Sequence, residues 1–249
     1  MRKRKQKQMS ESLLLGAILA TVGGFLDAHT YICRGKVFAN AETGNIVLMG
    51  AKLAEGDFKD AFFYLIPITA FACGVFCAEG IKKLFKQNNY IHWRQITVAA
   101  EIIALVFISF VEPTRMHNIF TNALVAFVCS LQVQSFRQIS GGPLTTTMCT
   151  GNLRSGTEHL FNAVTTKNKT VLKTAFKYYS IIFFFVLGAA IGAVLSSAIG
   201  RYSTLIAAGG LLAAFLLMFV NKEAEKREEI FERAEEEREE AEIKAAEKL

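Results

Sequence analysis

The sequence contains no C-x-x-C pair, and its five cysteines, Cys33, Cys73, Cys77, Cys129 and Cys149, are an odd number lying mostly within apolar stretches. That pattern argues against both a disulfide framework and a zinc site, and leaves the cysteines as small packing residues. There is also no nucleophile–base pairing, H-E-x-x-H motif, P-loop or dinucleotide fingerprint, and the four histidines are too scattered to suggest a metal site. The expectation is a protein that is not an enzyme and needs no cofactor. Any ATP-driven activity would require a partner chain.

What is abundant is apolar surface. The 249 residues are 52% hydrophobic even though 221–249 is almost entirely charged, so the apolar side chains are concentrated upstream. Five stretches stand out, 61–78, 96–111, 119–133, 178–199 and 202–220, and a sixth, 13–31, is interrupted by Asp27 and His29. A span takes about 20 mostly apolar residues at roughly 1.5 Å each, so the longer stretches cross unaided and the shorter ones need flanking residues. The expected fold is an all-α integral membrane protein with six transmembrane helices, its first partner being the lipid bilayer. The first stretch follows Arg2, Lys3, Arg4, Lys5 and Lys7 as a signal peptide would, but it lacks a clean small-x-small cleavage site and is read as a retained helix.

Charge sets the orientation. With the N-terminus in the cytoplasm, 22 of the 28 lysines and arginines fall on inner segments, and only Arg34, Lys36, Lys52, Lys59, Arg115 and Arg201 fall outside. The positive-inside rule is then satisfied loop by loop, with both termini cytoplasmic. The net charge of +6 is a signature of topology, and no nucleic-acid partner is expected.

An internal repeat organises the chain. Thr43-Gly44-Asn45 recurs as Thr150-Gly151-Asn152 at an offset of 107, which also pairs Gly35 with Gly142 and Asp27 with Gln134 and brings the first three apolar helices into register with the last three. Three helices per half is odd, so the second half enters the membrane from the opposite side, giving inverted repeats about a pseudo-two-fold axis in the membrane plane. The divisions are a basic N-terminus at 1–12, repeats at 13–112 and 113–220, and a charged, solvated helical tail at 221–249.

Each T-G-N segment follows a stretch unsuited to a helix, 33–42 with Gly35 in the first half and Gly141-Gly142-Pro143 before Thr145, Thr146 and Thr147 in the second. Both are expected to be re-entrant, with extended backbone entering the membrane and a half-helix starting near T-G-N, where Thr or Asn caps it and Gly allows close approach. Such backbone persists at membrane depth only when buried in protein or facing a watery cavity. The alternative is a pair of interfacial loops, for which the polarity of Arg154, Glu158 and His159 speaks.

Gly24-Phe25-Leu26-Asp27, the doubled T-G-N motif and the fourth helix with Gln134 together resemble the YoaK-like family of bacterial membrane proteins, over about residues 12–220. The resemblance implies a six-helix protein of the bacterial inner membrane. It carries no established activity.

Polar residues within the apolar stretches are the candidate site. An ionised carboxylate at Asp27 costs about 2.5–3.5 kcal/mol on insertion scales, so it is either a proton- or cation-coupling group or the acceptor of a structural bond, for instance from His29. Gln134 and Gln138, four residues apart, share one helix face. They are read either as lining the same cavity as Asp27 or as packing glue. Glu79 and Glu101 are expected to snorkel or pair with the nearby cations. Ridges of small residues, Gly188-Gly192-Ser196-Gly200 and Ala70-Gly74-Ala78, are read as helix-packing surfaces within one chain or across a homodimer.

The function expected is secondary transport of a small solute or ion, with a substrate site between the repeats formed by Asp27, Thr43, Gly44, Asn45, Gln134, Gln138, Thr150, Gly151 and Asn152. Converging helix N-termini would favour an anionic or carbonyl group there. A passive channel and a non-transporting scaffold with a partner-binding tail are the competing readings. Single cysteines on a cysteine-free background test the topology: positions 57, 116 and 201 should react with an impermeant thiol reagent in intact cells, and 83 and 169 should not. Labelling of residue 169 from outside would overturn the inverted arrangement.

Overall fold

The computed structural model describes residues 13–85, 93–137 and 144–218, and among these there are helices and loops but no strand. The basic N-terminus, Gln138, Gly141-Gly142-Pro143 and the charged tail lie outside the described residues. The helices are α1 (Leu13–Cys33), α2 (Glu42–Ala54), α3 (Phe58–Phe85), α4 (Trp93–Ser109), α5 (Arg115–Ser135), α6 (Cys149–Thr166) and α7 (Lys169–Ile199). A 3-10 turn, Gly200–Ser203, then leads into α8, described over 204–218.

The helices outrun the apolar stretches because polar caps set their ends. Thr114 accepts from the His117 N–H to start α5, and Asn168 accepts from Thr170 and Val171 to start α7, nine residues before the apolar run at 178. Four helical stretches are long and apolar enough to cross a membrane: 13–33, 58–85, 115–135 and 169–218, the last divided by the 3-10 turn. Their outer surfaces keep large apolar side chains exposed, among them Phe62, Phe76, Phe183, Val186 and Val194. A surface of that kind suits lipid and would be unfavourable in water.

Contacts fix the direction of each helix. On α7, Gly188 lies against Thr21, Gly192 against Phe25 and Ser196 against His29, so α1 and α7 run parallel. Equally, Arg115 pairs with Asp60, Gly74 abuts Phe127 and Ser130, and Gln134 bonds Glu79, so α3 and α5 run parallel. Arg94 donates to the Ser135 carbonyl while Phe107 meets Phe120, making α4 antiparallel to α5. Gly200, at φ +58°, turns the chain back, and contacts of Ser203 with His29 and of Gly210 with Val22 make α8 antiparallel to α1. The main core lies around α1 and α8, where Leu19, Leu26, Leu105, Val125 and Leu211 are fully enclosed.

The small-residue ridges are used within the chain. A Cβ on Gly188 would overlap the Thr21 carbonyl, and one on Gly74 would overlap Ser130 and the Phe127 carbonyl, whereas Gly80 has open space around it. Gly200 leaves the ridge and serves the turn. Gly188→Ala and Gly74→Ala should therefore each cost about 1–3 kcal/mol through overpacking, lowering the thermal midpoint in detergent. Gly80→Ala should leave the midpoint unchanged or raise it, through the better helix propensity of Ala. Equal effects at all three positions would refute the close crossings.

Candidate functional site

After α1 the chain reverses through Gly35 (φ +90°) and Lys36 (φ +64°) and runs back along the helix it has just left. The Ala39 N–H donates to the Thr30 hydroxyl and the Asn40 N–H to Asp27 Oδ1, at 3.3 and 3.0 Å. Asp27 lies six residues before the end of α1, which at 1.5 Å per residue places the tip of this segment roughly 9 Å below that end. From there α2 begins and returns to the end where α3 starts. In the second half, Gln132 on α5 donates to the Thr146 hydroxyl at 3.1 Å, fastening residues 144–148 to the helix before α6 begins.

The two tips meet at Gly23, the middle residue of α1: a Cβ there would stand 2.6 Å from Thr147 Cγ2 and 3.4 Å from Asn40 Nδ2. Beside them is a cavity of about 880 Å³. It is walled by Asp27 and Tyr31 of α1, by Asn40, Glu42 and Thr43 at the start of α2, by Thr147, Thr150 and Gly151 at the start of α6, and by Phe71, Val133, Phe185 and Ala189. That volume falls within the range of small-molecule sites. Two carboxylates, Asp27 and Glu42, line it, and no Lys, Arg or His is among the described lining residues. Tyr31 and Phe38, both in the wall, stack with ring centroids 4.9 Å apart.

The candidate residues separate into two groups. Asp27, Thr43, Thr150 and Gly151 are brought together in the cavity wall. Asn45 and Asn152, buried at 0% and 1% exposure, sit behind it. Asn45 Nδ2 donates to the Phe38 carbonyl at 3.1 Å and Asn152 Nδ2 to the Thr145 carbonyl at 2.6 Å, each seven residues upstream. Neither T-G-N segment caps its helix: the caps are Ala41 and Met148, without side-chain bonds, and T-G-N forms the first turn. Gly44 lies near Phe38, with ordinary contact distance for an added Cβ.

Gln134 is not in the wall. It bonds Glu79 on α3, which also pairs with Lys82 at 3.4 Å. Its place is taken by Gln132, in a half where 13 residues (136–148) separate α5 from α6, against eight (34–41) between α1 and α2. His29 is directed away from Asp27, into a cluster with Ser196 and Ser203 at 3.2 and 2.8 Å. Glu101 does not snorkel: it is 1% exposed, and Cys129 Sγ lies 4.0 Å from its Oε1. Sequence reasoning missed Glu42, although its position immediately before T-G-N marked it as a first-turn carboxylate.

Residues 15–218 match the family described as protein of unknown function (DUF1275). No curated protein and no solved structure matches the chain.

The paired asparagine ties make a direct prediction. Asn45→Ala and Asn152→Ala each remove the side-chain donor from a part-buried backbone carbonyl, a loss of about 0.5–1.5 kcal/mol, and both should lower the thermal midpoint in detergent. If either variant melts like the parent protein, that amide is not holding the segment before its helix.

Proposed function

The chain belongs to the family described as protein of unknown function (DUF1275), and on that premise we propose that it is a secondary transporter, built as two inverted repeats with six crossings, whose solute site is the cavity between the two helix starts. The YoaK-like resemblance is read as a resemblance within this family. The observation that carries the proposal is the meeting of Asn40 and Thr147, equivalent positions under the 107-residue offset, at the midpoint of α1 beside that cavity. Non-helical backbone at such depth is the hallmark of transporter sites at repeat interfaces.

The repeat reading draws support from the contacts. Exchanging α1–α4 with α5–α8 turns α1 on α7 into α5 on α3, α2 on α3 into α6 on α7, and α4 on α5 into α8 on α1. The parallel and antiparallel senses survive the exchange. Arg34, Asp60, Arg115, Glu112 and Arg201 gather at one end of the bundle, through the Arg115–Asp60 and Arg201–Glu112 pairs and the bond from Arg34 to the Val111 carbonyl. α1, α3, α4, α5, α7 and α8 then alternate in direction. With this end outside, the cation-rich segments face the cytoplasm of a bacterial inner membrane, and both termini lie there.

The lining changes the solute expected. Bare helix N-termini would favour an anion, but Glu42 occupies the first turn of α2 and Asp27 faces the same space. The wall suits a small solute with an apolar body and a positive or hydrogen-bond-donating group, or a proton as coupling ion. Aromatic faces at Tyr31 and Phe38 add to that preference.

The test is uptake of a panel of small cationic and neutral solutes into vesicles containing the purified protein, with and without an imposed proton gradient. Gradient-driven uptake is expected, and Asp27→Asn, which keeps an acceptor for the Asn40 N–H, should fold normally yet lose at least tenfold of the coupled rate. Flux indifferent to the gradient would make the protein a channel. Unchanged coupling in Asp27→Asn would remove Asp27 from the mechanism, and absence of flux with tail-dependent partner capture would establish the scaffold reading.

A further inference from the structure

A second, smaller cavity lies at the end of the bundle where α1 finishes and α3 and α5 begin. Arg34, the residue after α1, is fully enclosed at 0% exposure. Its Nη2 donates to the carbonyls of Ile108 and Val111 at 2.9 and 3.0 Å, satisfying the open end of α4. Nε and Nη1 have no partner. A guanidinium carries five N–H donors, so about three remain unused on a buried cation.

Arg34 belongs to the wall of a cavity of about 170 Å³ that also includes Asp60, Tyr64, Arg115, Asn118 and Asn122. Asp60 is already paired with Arg115 at 2.8 Å, which leaves the charge of Arg34 uncompensated. The Asn122 amide donates to the Arg34 carbonyl at 2.8 Å, holding the residue in place, while Asn118 Oδ1 and Asn122 Oδ1 are buried acceptors without donors. A buried guanidinium with idle donors is strongly unfavourable unless an anion meets it. The cavity is separate from the larger one: the two share no lining residue.

We propose that this cavity binds an oxyanion, a carboxylate or phosphate group held by the guanidinium of Arg34, with hydroxyl or amine donors of the same ligand meeting Asn118. The oxyanion comes either from a free solute or from the headgroup of an anionic lipid at the membrane surface. Arg34 thus links the end of α4 to ligand occupancy, since one side chain serves both.

The experiment uses the full chain in zwitterionic nanodiscs. In one arm, thermal stability is followed during titration with sodium phosphate or sodium acetate, against sodium chloride at equal ionic strength. In the other, native mass spectrometry compares retention of phosphatidylglycerol and phosphatidylcholine. Saturable stabilisation by phosphate or acetate identifies a free anion, and selective retention of phosphatidylglycerol identifies a headgroup. Because removal of Arg34 would also uncap α4, the decisive variant is Asn118→Leu, which narrows the cavity and leaves the bonds from Arg34 to α4 intact. It should weaken binding at least tenfold in whichever arm is positive, and Arg34→Lys should do the same. No preference over chloride and phosphatidylcholine in either arm, or an Asn118→Leu protein that binds like the parent, overturns the proposal.

Discussion

Backbone that leaves the helix inside an apolar bundle must find partners for every N–H and C=O, and the rest of this molecule is arranged around that requirement. The segment before α2 is satisfied by the Asp27 carboxylate and the Thr30 hydroxyl from one side and by the Asn45 amide from the other. The segment before α6 is held by Gln132 and Asn152. Each tip is therefore clamped between the long helix before it and the short helix after it. Losing one clamp leaves polar backbone unpaired within an apolar bundle, which is why these polar residues are found amid otherwise apolar sequence.

Close helix crossings make room for the clamps. Where α1 meets α7, the absence of side chains at Gly24, Gly188 and Gly192 lets the backbones touch, and Gly74 does the same where α3 meets α5. Gly23 has a different task, since its missing Cβ leaves space for Thr147 and Asn40. Dispersion between closely packed backbones is the force available for association in lipid, where burying apolar surface gains little. The cavity is what remains between four tightly packed long helices once two short helix starts have been inserted among them.

Much of this was legible in the sequence because the signals were periodic or doubled. Apolar stretches located the long helices, and the repeated T-G-N located the starts of α2 and α6 to within one residue. What the repeat could not carry was side-chain direction. A fixed offset assumes equal loop lengths, but 13 residues separate α5 from α6 where eight separate α1 from α2, and the fastening glutamine is 132 and not 134, two positions along the helix and hence on a different face. The asparagines looked like caps or ligands because that is what exposed amides at a helix start do. Their bonds to carbonyls seven residues upstream depend on a chain reversal that no local pattern announces. Arg34 read as one more outer cation, because only packing reveals that it is enclosed.

The difference between the two halves at their clamps bears on what Asp27 is for. Accepting one backbone N–H needs only an oxygen, and a neutral amide would provide it without the penalty of an ionisable group in an apolar setting. In the second half a neutral glutamine, Gln132, does the comparable fastening. The first turn of α2 carries Glu42 where the offset places Cys149 in α6. Both carboxylates thus belong to the first half and face the same cavity, at positions where the second half folds without them. A clamp that needed only an acceptor would not require a carboxylate at either position. On the transporter reading we propose, this asymmetry makes Asp27 and Glu42 the groups that would bind the coupled ion or proton.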